Sequence, residues 1–224
     1  MITLHHLENS RSQRVLWLLE ELGVDYEIQH YQRDPKTSLA PPELRAIHPL
    51  GKSPIITDGD RVLAESATII EYLARTCGGG NWAPQPDEPA YWDFSYWMHY
   101  AEGSLMPPLL LKLVFDKVRT GAPLLARPIA AGIAGQVNRS FIGPQIRAHF
   151  EFVDGHLAEH EWFAGNSITA ADIQMSFPLE AALARGTIDE SAFPNVAEYV
   201  HRFQARPAYQ RALEAGGDYD YGPA

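Results

Sequence analysis

The sequence predicts a chain in two parts. An α/β domain in the order βαβαββα spans 1–78, a linker spans 79–89, and an all-α domain fills 90–224. Three observations carry this. The opening stretch alternates short strand-like runs with helical apolar spacing. Asn81-Trp82-Ala83-Pro84-Gln85-Pro86-Asp87-Glu88-Pro89 is a linker by composition. Beyond it the apolar spacing is helical to the last turn signal.

Ile2 to Leu7 reads as a first strand. Glu8-Asn9-Ser10-Arg11-Ser12 carries helix-start chemistry, and Val15, Leu18, Leu19 and Leu22 then fall on one helical face, stopped by Gly23. Tyr26 to Tyr31 is a second strand, so the first two strands are expected to run parallel. Arg33 to Pro42 is a polar loop, and Glu43 to Ile47 suits a short helix ended by His48-Pro49. Ile55 to Thr57 and Arg61 to Ala64 form a hairpin about the turn signal Asp58-Gly59-Asp60. Glu65-Ser66 opens a helix with Ile69, Ile70 and Leu73 on one face.

In the second part, the helix from Ala90 is apolar nearly all round, which predicts burial on several sides. Pro107-Pro108 should kink or break it before helix resumes over Leu109 to Val118. Thr120 to Gly143, rich in Gly, Ala and Pro, reads as a mobile loop with a short helix. Ile146, Phe150, Val153 and Leu157 define the next long helix. Thr169 and Asp172 stand as N-cap and N3 of a capping box, flanked by a staple of Ile168 and Ile173, and Asp172 is read as structural. Val196, Tyr199, Val200 and Phe203 mark a late helix, and Arg206-Pro207-Ala208-Tyr209 starts the last. The tail from Gly216 is read either as disordered or as folding its tyrosines over a cleft.

Composition bounds the function. The 224 residues are 46% hydrophobic and 21% charged, with net charge −10. That excess of acid disfavours nucleic acid and anionic membrane as partners. The single Cys77 rules out an internal disulfide framework and is read as a small buried apolar residue. The nine histidines show no metal-ligand spacing, and no metal is expected. No stretch is long and apolar enough to span a bilayer, and the N-terminus lacks signal-peptide shape, so a cytoplasmic location is expected.

Leu50-Gly51-Lys52-Ser53-Pro54-Ile55-Ile56 enters an apolar strand through a Pro. A cis Ser53–Pro54 bond would turn the Ser53 N–H and C=O outward, where an extended peptide can pair with them. A plain loop-to-strand junction is the alternative. Ser10 and Ser66 lie at or near helix N-termini, whose free N–H groups attract carboxylates. Taken singly, Ser10 and Ser66 read as simple N-caps and Lys52 as a solvated charge.

Together these clusters resemble the cytosolic glutathione transferases, with a serine-type, bacterial-type catalytic turn. The matching residues are Ser10 with Arg14, Pro49 to Pro54, Glu65 to Leu73, and Gly165-Asn166-Ser167-Ile168-Thr169-Ala170-Ala171-Asp172. The resemblance implies a thioredoxin-like first domain that binds glutathione as co-substrate. Ser53, before Pro54, would pair with the cysteinyl backbone. Glu65 and Ser66 would hold the γ-glutamyl end and Lys52 a carboxylate. Ser10 would donate to the thiolate, with Asn9 and Ser12 as rivals. The expected reaction is attack of that thiolate on a small apolar electrophile, with glutathione-dependent peroxidase activity as an addition. Candidate walls for the electrophile are Tyr100, Met106 and Phe115, which serve equally as core. The family habit also implies a homodimer with a detoxifying role. His48, where Asn commonly precedes the Pro, departs from the pattern. The alternatives are a binding or regulatory protein without turnover and a glutathione-dependent disulfide reductase.

Overall fold

The computed structural model describes residues 1–223. Strands β1 (Ile2–Leu7), β2 (Tyr26–Tyr31), β3 (Ile55–Asp58) and β4 (Arg61–Ala64) form one sheet in the order β2-β1-β3-β4. β1 and β2 run parallel, and the other neighbours are antiparallel. Helices α1 (Ser12–Leu22), α2 (Leu44–Ile47) and α3 (Ser66–Cys77) complete the βαβαββα order. The register fixes where the chain's useful ends fall. His5 lies opposite Ile55, and Ile55 opposite Ala64. The turn after β1, the residues before β3 and the residues after β4 therefore share one end of the sheet.

The rest is helical: α4 (Tyr91–Tyr100), α5 (Met106–Gly121), α6 (Arg127–Val137), α7 (Gly143–Glu159), α8 (Ala170–Ala184), α9 (Pro194–Gln204) and α10 (Pro207–Gly216). α8 is buried on nearly every side and packs against α1, α3, α4 and α9. α1 joins the two parts, because Trp17 is fully buried and stacks on Phe203 at 5.1 Å with Tyr209 at its edge. The four apolar residues Ile146, Phe150, Val153 and Leu157 are all buried along α7.

Local chemistry explains the boundaries. Gly23 ends α1 in the left-handed region (φ 61°), its N–H bonding the Leu19 carbonyl. The capping box at α8 is formed: Thr169 Oγ1 accepts from the Ala171 N–H, and Asp172 Oδ2 accepts from the Thr169 N–H at 2.7 Å. Asp172 also accepts from the Phe163 N–H and the Tyr199 hydroxyl, both at 2.9 Å. It thus ties a loop and α9 to the start of α8, in line with a structural role.

Three expectations need correction. Pro107 and Pro108 do not break the helical path. One π-turn, Ala101–Leu105, stands directly before them, with the Met106 N–H bonding the Ala101 carbonyl five residues back, and this wider turn carries the two prolines within a continuous helical path. The Gly/Ala/Pro-rich stretch over 120–143 is not a loop around a short helix but the eleven-residue α6 running through a second π-turn, Asn138–Ile142, into α7. Pro128 and Pro144 stand in first turns. Cys77 is half-buried at the last turn of α3 rather than enclosed. On α4, Phe94 and Trp97 are buried as expected, but Trp92 is 74% exposed in the single chain.

Candidate active site

The turn after β1 is shaped by Asn9, whose φ of 48° is in the left-handed region that Asn tolerates better than most residues. Arg33 braces it, donating from Nη2 to the Asn9 carbonyl at 3.1 Å and from Nε to the Glu8 carbonyl at 3.3 Å. Ser10 is thereby set just ahead of α1. Its Oγ, nearly buried, accepts from the Ser12 N–H at 3.2 Å and lies 2.8 Å from Ser12 Oγ. Ser53 Oγ is 3.5 Å away on its other side.

The Ser53–Pro54 bond is cis. Ser53 Oγ donates to the His5 carbonyl at 3.1 Å, which fastens this bend to β1. Among the described residues, the Ser53 N–H and C=O enter no hydrogen bond. Pro54 is buried, and Lys52 is exposed and without an ion pair among the described residues. At the same sheet end, Glu65 holds a φ of 70°, unusual for a residue with a side chain, and its carboxylate is exposed and unpaired among the described residues. Ser66 follows as the first residue of α3, 5% exposed. The fold therefore gathers at one edge a hydroxyl, an open backbone pair, a free cation, a free carboxylate and a helix N-terminus. That set complements a short peptide carrying two carboxylates, one ammonium and a thiol.

The rivals for Ser10 are otherwise engaged. The Asn9 amide donates to Asp220 at 2.9 Å and accepts from the Asp220 N–H at 2.7 Å. Ser12 is fully buried, with its Oγ among Leu7 N, Leu7 O and His6 Nδ1. Cys77, at the far end of α3 from Ser66, is remote from the cluster.

One feature escaped the sequence, and a second was offered there only as one of two options. Glu102, in the π-turn, accepts a forked pair from Arg11 at 2.8 and 3.0 Å and a further bond from Arg14. Arg14, wholly buried, also donates to the Gln174 carbonyl. Burial pulls the Arg14 guanidinium below its ordinary pKa, and Glu102 counters it. Burial pushes the Glu102 carboxyl up, but Arg14 and Arg11 outweigh it and leave the net shift downward. The second feature is the tail. Phe177, Ala181 and Tyr221 form a small apolar cluster with Met106 and Tyr219, and the Arg11 guanidinium lies 5.1 Å from the Phe177 ring centre. That cluster thus stands beside the Ser10 turn. Of the expected walls, only Met106 belongs to it. The Tyr100 hydroxyl is turned to His149 at 2.6 Å, and Phe115 packs on the main core. Glu180, buried beneath the tail, accepts from the hydroxyls of Tyr209 and Tyr219 and is pushed up to about 7 by burial.

Residues 10–76 match the family model described as the glutathione S-transferase N-terminal domain, and residues 143–207 the one for the C-terminal domain. Glutathione S-transferase 3 of Schizosaccharomyces pombe is 37% identical over 214 residues, covering 96% of this chain and 87% of that one. Glutathione S-transferase 1 of Saccharomyces cerevisiae is 32% identical over 96% of this chain and 94% of its own length. Among solved structures, a glutathione S-transferase from Actinobacillus pleuropneumoniae superposes with a TM-score of 0.81 at 34% identity, covering 99% of this chain and 95% of that one.

Proposed function

The chain belongs to the glutathione S-transferase family, and we propose that it activates glutathione through Ser10 for attack on a small apolar electrophile. The observation that carries this is the meeting of the Ser10 and Ser53 hydroxyls, 3.5 Å apart at the N-terminal end of α1, with the Ser53 backbone left open beside them. In this reading glutathione lies extended along Ser53, its cysteinyl N–H and C=O pairing with that residue as an added strand does. Ser66 and the α3 N-terminus hold the γ-glutamyl carboxylate, Glu65 its ammonium, and Lys52 the glycine carboxylate. Pro54 fixes the bend that presents Ser53.

The thiol then faces Ser10. A free thiol titrates at roughly 8.5, and lowering that by one unit takes only about 1.4 kcal/mol of preference for the anion. A hydroxyl donor at a helix N-terminus is suited to that task. Ser10 stabilises the sulfur anion, and the thiol proton passes to bulk water. The thiolate attacks the electrophilic carbon, a carbon–sulfur bond forms, and the leaving group departs with the electron pair. Met106, Phe177, Tyr219 and Tyr221 supply an apolar wall beside the turn. A detoxifying role in the cytoplasm and a homodimer complete the reading. Exposed Trp92, Tyr96, Leu110 and Val114 on α4 and α5 support the dimer.

Calorimetry with glutathione, and turnover with a chlorodinitrobenzene and with a hydroperoxide, test the assignment. Wild type should bind and turn over the aryl halide. Lys52→Ala and Ser66→Ala should each weaken glutathione binding by about tenfold, the loss of one charge-assisted contact. Binding unchanged in both variants contradicts the site. Binding without turnover of either substrate contradicts the transferase and leaves a binding protein.

A further inference from the structure

Behind Ser10 runs a buried chain of hydrogen-bonding groups that the reaction as described does not use. Ser10 Oγ is 2.8 Å from Ser12 Oγ, and Ser12 Oγ is 3.0 Å from His6 Nδ1. Ser12 is fully buried and His6 is 3% exposed. We propose that His6 and Ser12 form a relay that orients and polarises the Ser10 hydroxyl toward the glutathione sulfur; the inference rests on Ser10 being the thiol donor. His6 and Ser12 touch no substrate and are positioning residues.

Counting donors and acceptors gives the direction. Each serine hydroxyl has one proton and two lone pairs. Ser10 Oγ accepts from the Ser12 N–H at 3.2 Å, so one lone pair remains. If the Ser12 hydroxyl fills it, the Ser10 proton points outward, where Ser53 Oγ at a long 3.5 Å is its one partner in the chain and the sulfur is the stronger acceptor. Ser12 then accepts from the Leu7 N–H at 3.2 Å and from a protonated His6 Nδ1, and every site is filled. The competing arrangement has the Ser12 proton on the Leu7 carbonyl, 3.1 Å away, or on His6 Nδ1, with the imidazole proton on Nε2. In that arrangement Ser10 receives one hydrogen bond instead of two. An anion on the sulfur favours the first arrangement, because each donor in a chain strengthens the next. Burial, with His30 beside it at 5.6 Å between ring centres, keeps His6 neutral at physiological pH, and the Gly216 carbonyl, facing the nitrogen away from Ser12, favours the competing arrangement at rest, so the relay arrangement is the one that the sulfur anion has to draw out. The relay therefore carries orientation and not charge.

The test is the titration of enzyme-bound glutathione, read as thiolate absorbance against pH, in wild type, Ser10→Ala, Ser12→Ala, His6→Phe and His6→Asn. Calorimetric glutathione affinity and a thermal melt accompany each. Ser12→Ala and His6→Phe should raise the bound-thiol pKa by about half to one unit, a three- to tenfold loss of thiolate below it. Glutathione affinity should stay within about threefold. His6→Asn, whose amide can donate where Nδ1 did, should restore most of the shift, which mere packing would not predict. In a Ser10→Ala background neither change should move the titration further. If Ser12→Ala does not fold, the two His6 variants decide alone. A titration moved by Ser10→Ala but unmoved by His6→Phe and Ser12→Ala overturns the relay and leaves Ser10 as the donor. A titration unmoved by Ser10→Ala overturns both.

Discussion

At the scale of single residues, α8 carries two buried carboxyls whose environments differ. Asp172 is pushed up to about 6 by burial, although two backbone N–H groups and two hydroxyls hold its oxygens. Glu180 has the Tyr209 and Tyr219 hydroxyls, with weaker help from the Gln204 side chain and Arg14, but no backbone N–H, and burial pushes it further, to about 7 from an ordinary 4.5. The sign follows from proton counting. Between about 4.5 and 7 the folded chain keeps the Glu180 proton while the unfolded chain has lost it, so this group's contribution falls as pH rises. The full penalty, on the order of 3 kcal/mol, is present above about 7. Urea unfolding of wild type and Glu180→Gln across pH 4.5 to 8 should therefore show a shallower decline in the variant, and equal slopes contradict the assignment. Asp172→Ala should cost about 2–4 kcal/mol at pH 7, because four donors lose their acceptor at once. Asp172 was legible in the sequence because its cap partner is three residues away. Glu180 was not, since its partners Tyr209 and Tyr219 lie 29 and 39 residues on, and no local pattern brings them together.

At the scale of elements, the π-turn between α4 and α5 aims Glu102 at the start of α1. Arg14 is wholly enclosed and depends on Glu102 and the Gln174 carbonyl for its partners, whereas Arg11 is one-third exposed at 34%. Glu102→Ala leaves a buried cation half-satisfied and should lower stability by about 2–4 kcal/mol. Arg11→Ala breaks a solvent-screened pair and should cost less than about 1 kcal/mol. Urea midpoints that fall equally for the two would contradict this division. The strands and α1 to α3 were readable, because alternation, helical spacing and Gly stops are local signals. The stretch over 120–143 was misread because Gly, Ala and Pro suggest a loop by composition. Pro in a first turn suits a helix, and that depends on position, which composition does not report.

At the scale of the molecule, the tail closes the gap between the two parts. Asp220 grips Asn9, Tyr219 reaches Glu180, and Tyr221 packs on Phe177. Removing residues 218–224 should leave glutathione affinity within about threefold and raise the KM for an apolar aryl halide by about fivefold or more, the loss of one aromatic face worth ~1 kcal/mol. An unchanged KM would separate the tail from the electrophile. The sequence offered this closure only as one of two options, because tyrosines at a chain end carry no periodicity. The gathering of Ser10, Ser53, Glu65 and Ser66 at one sheet end was implied by the resemblance and is accounted for by the strand register. Their roles rest on a hydroxyl that has no other outward partner than Ser53. The most direct measurement is a pair on Ser10→Ala: glutathione affinity by calorimetry and kcat with a chlorodinitrobenzene at pH 6.5. The account predicts affinity within about threefold of wild type and kcat lower by about tenfold to a hundredfold, the loss of one donor to a developing anion. An unchanged kcat would contradict it and move the thiol donor to Asn9, Ser12 or a backbone N–H.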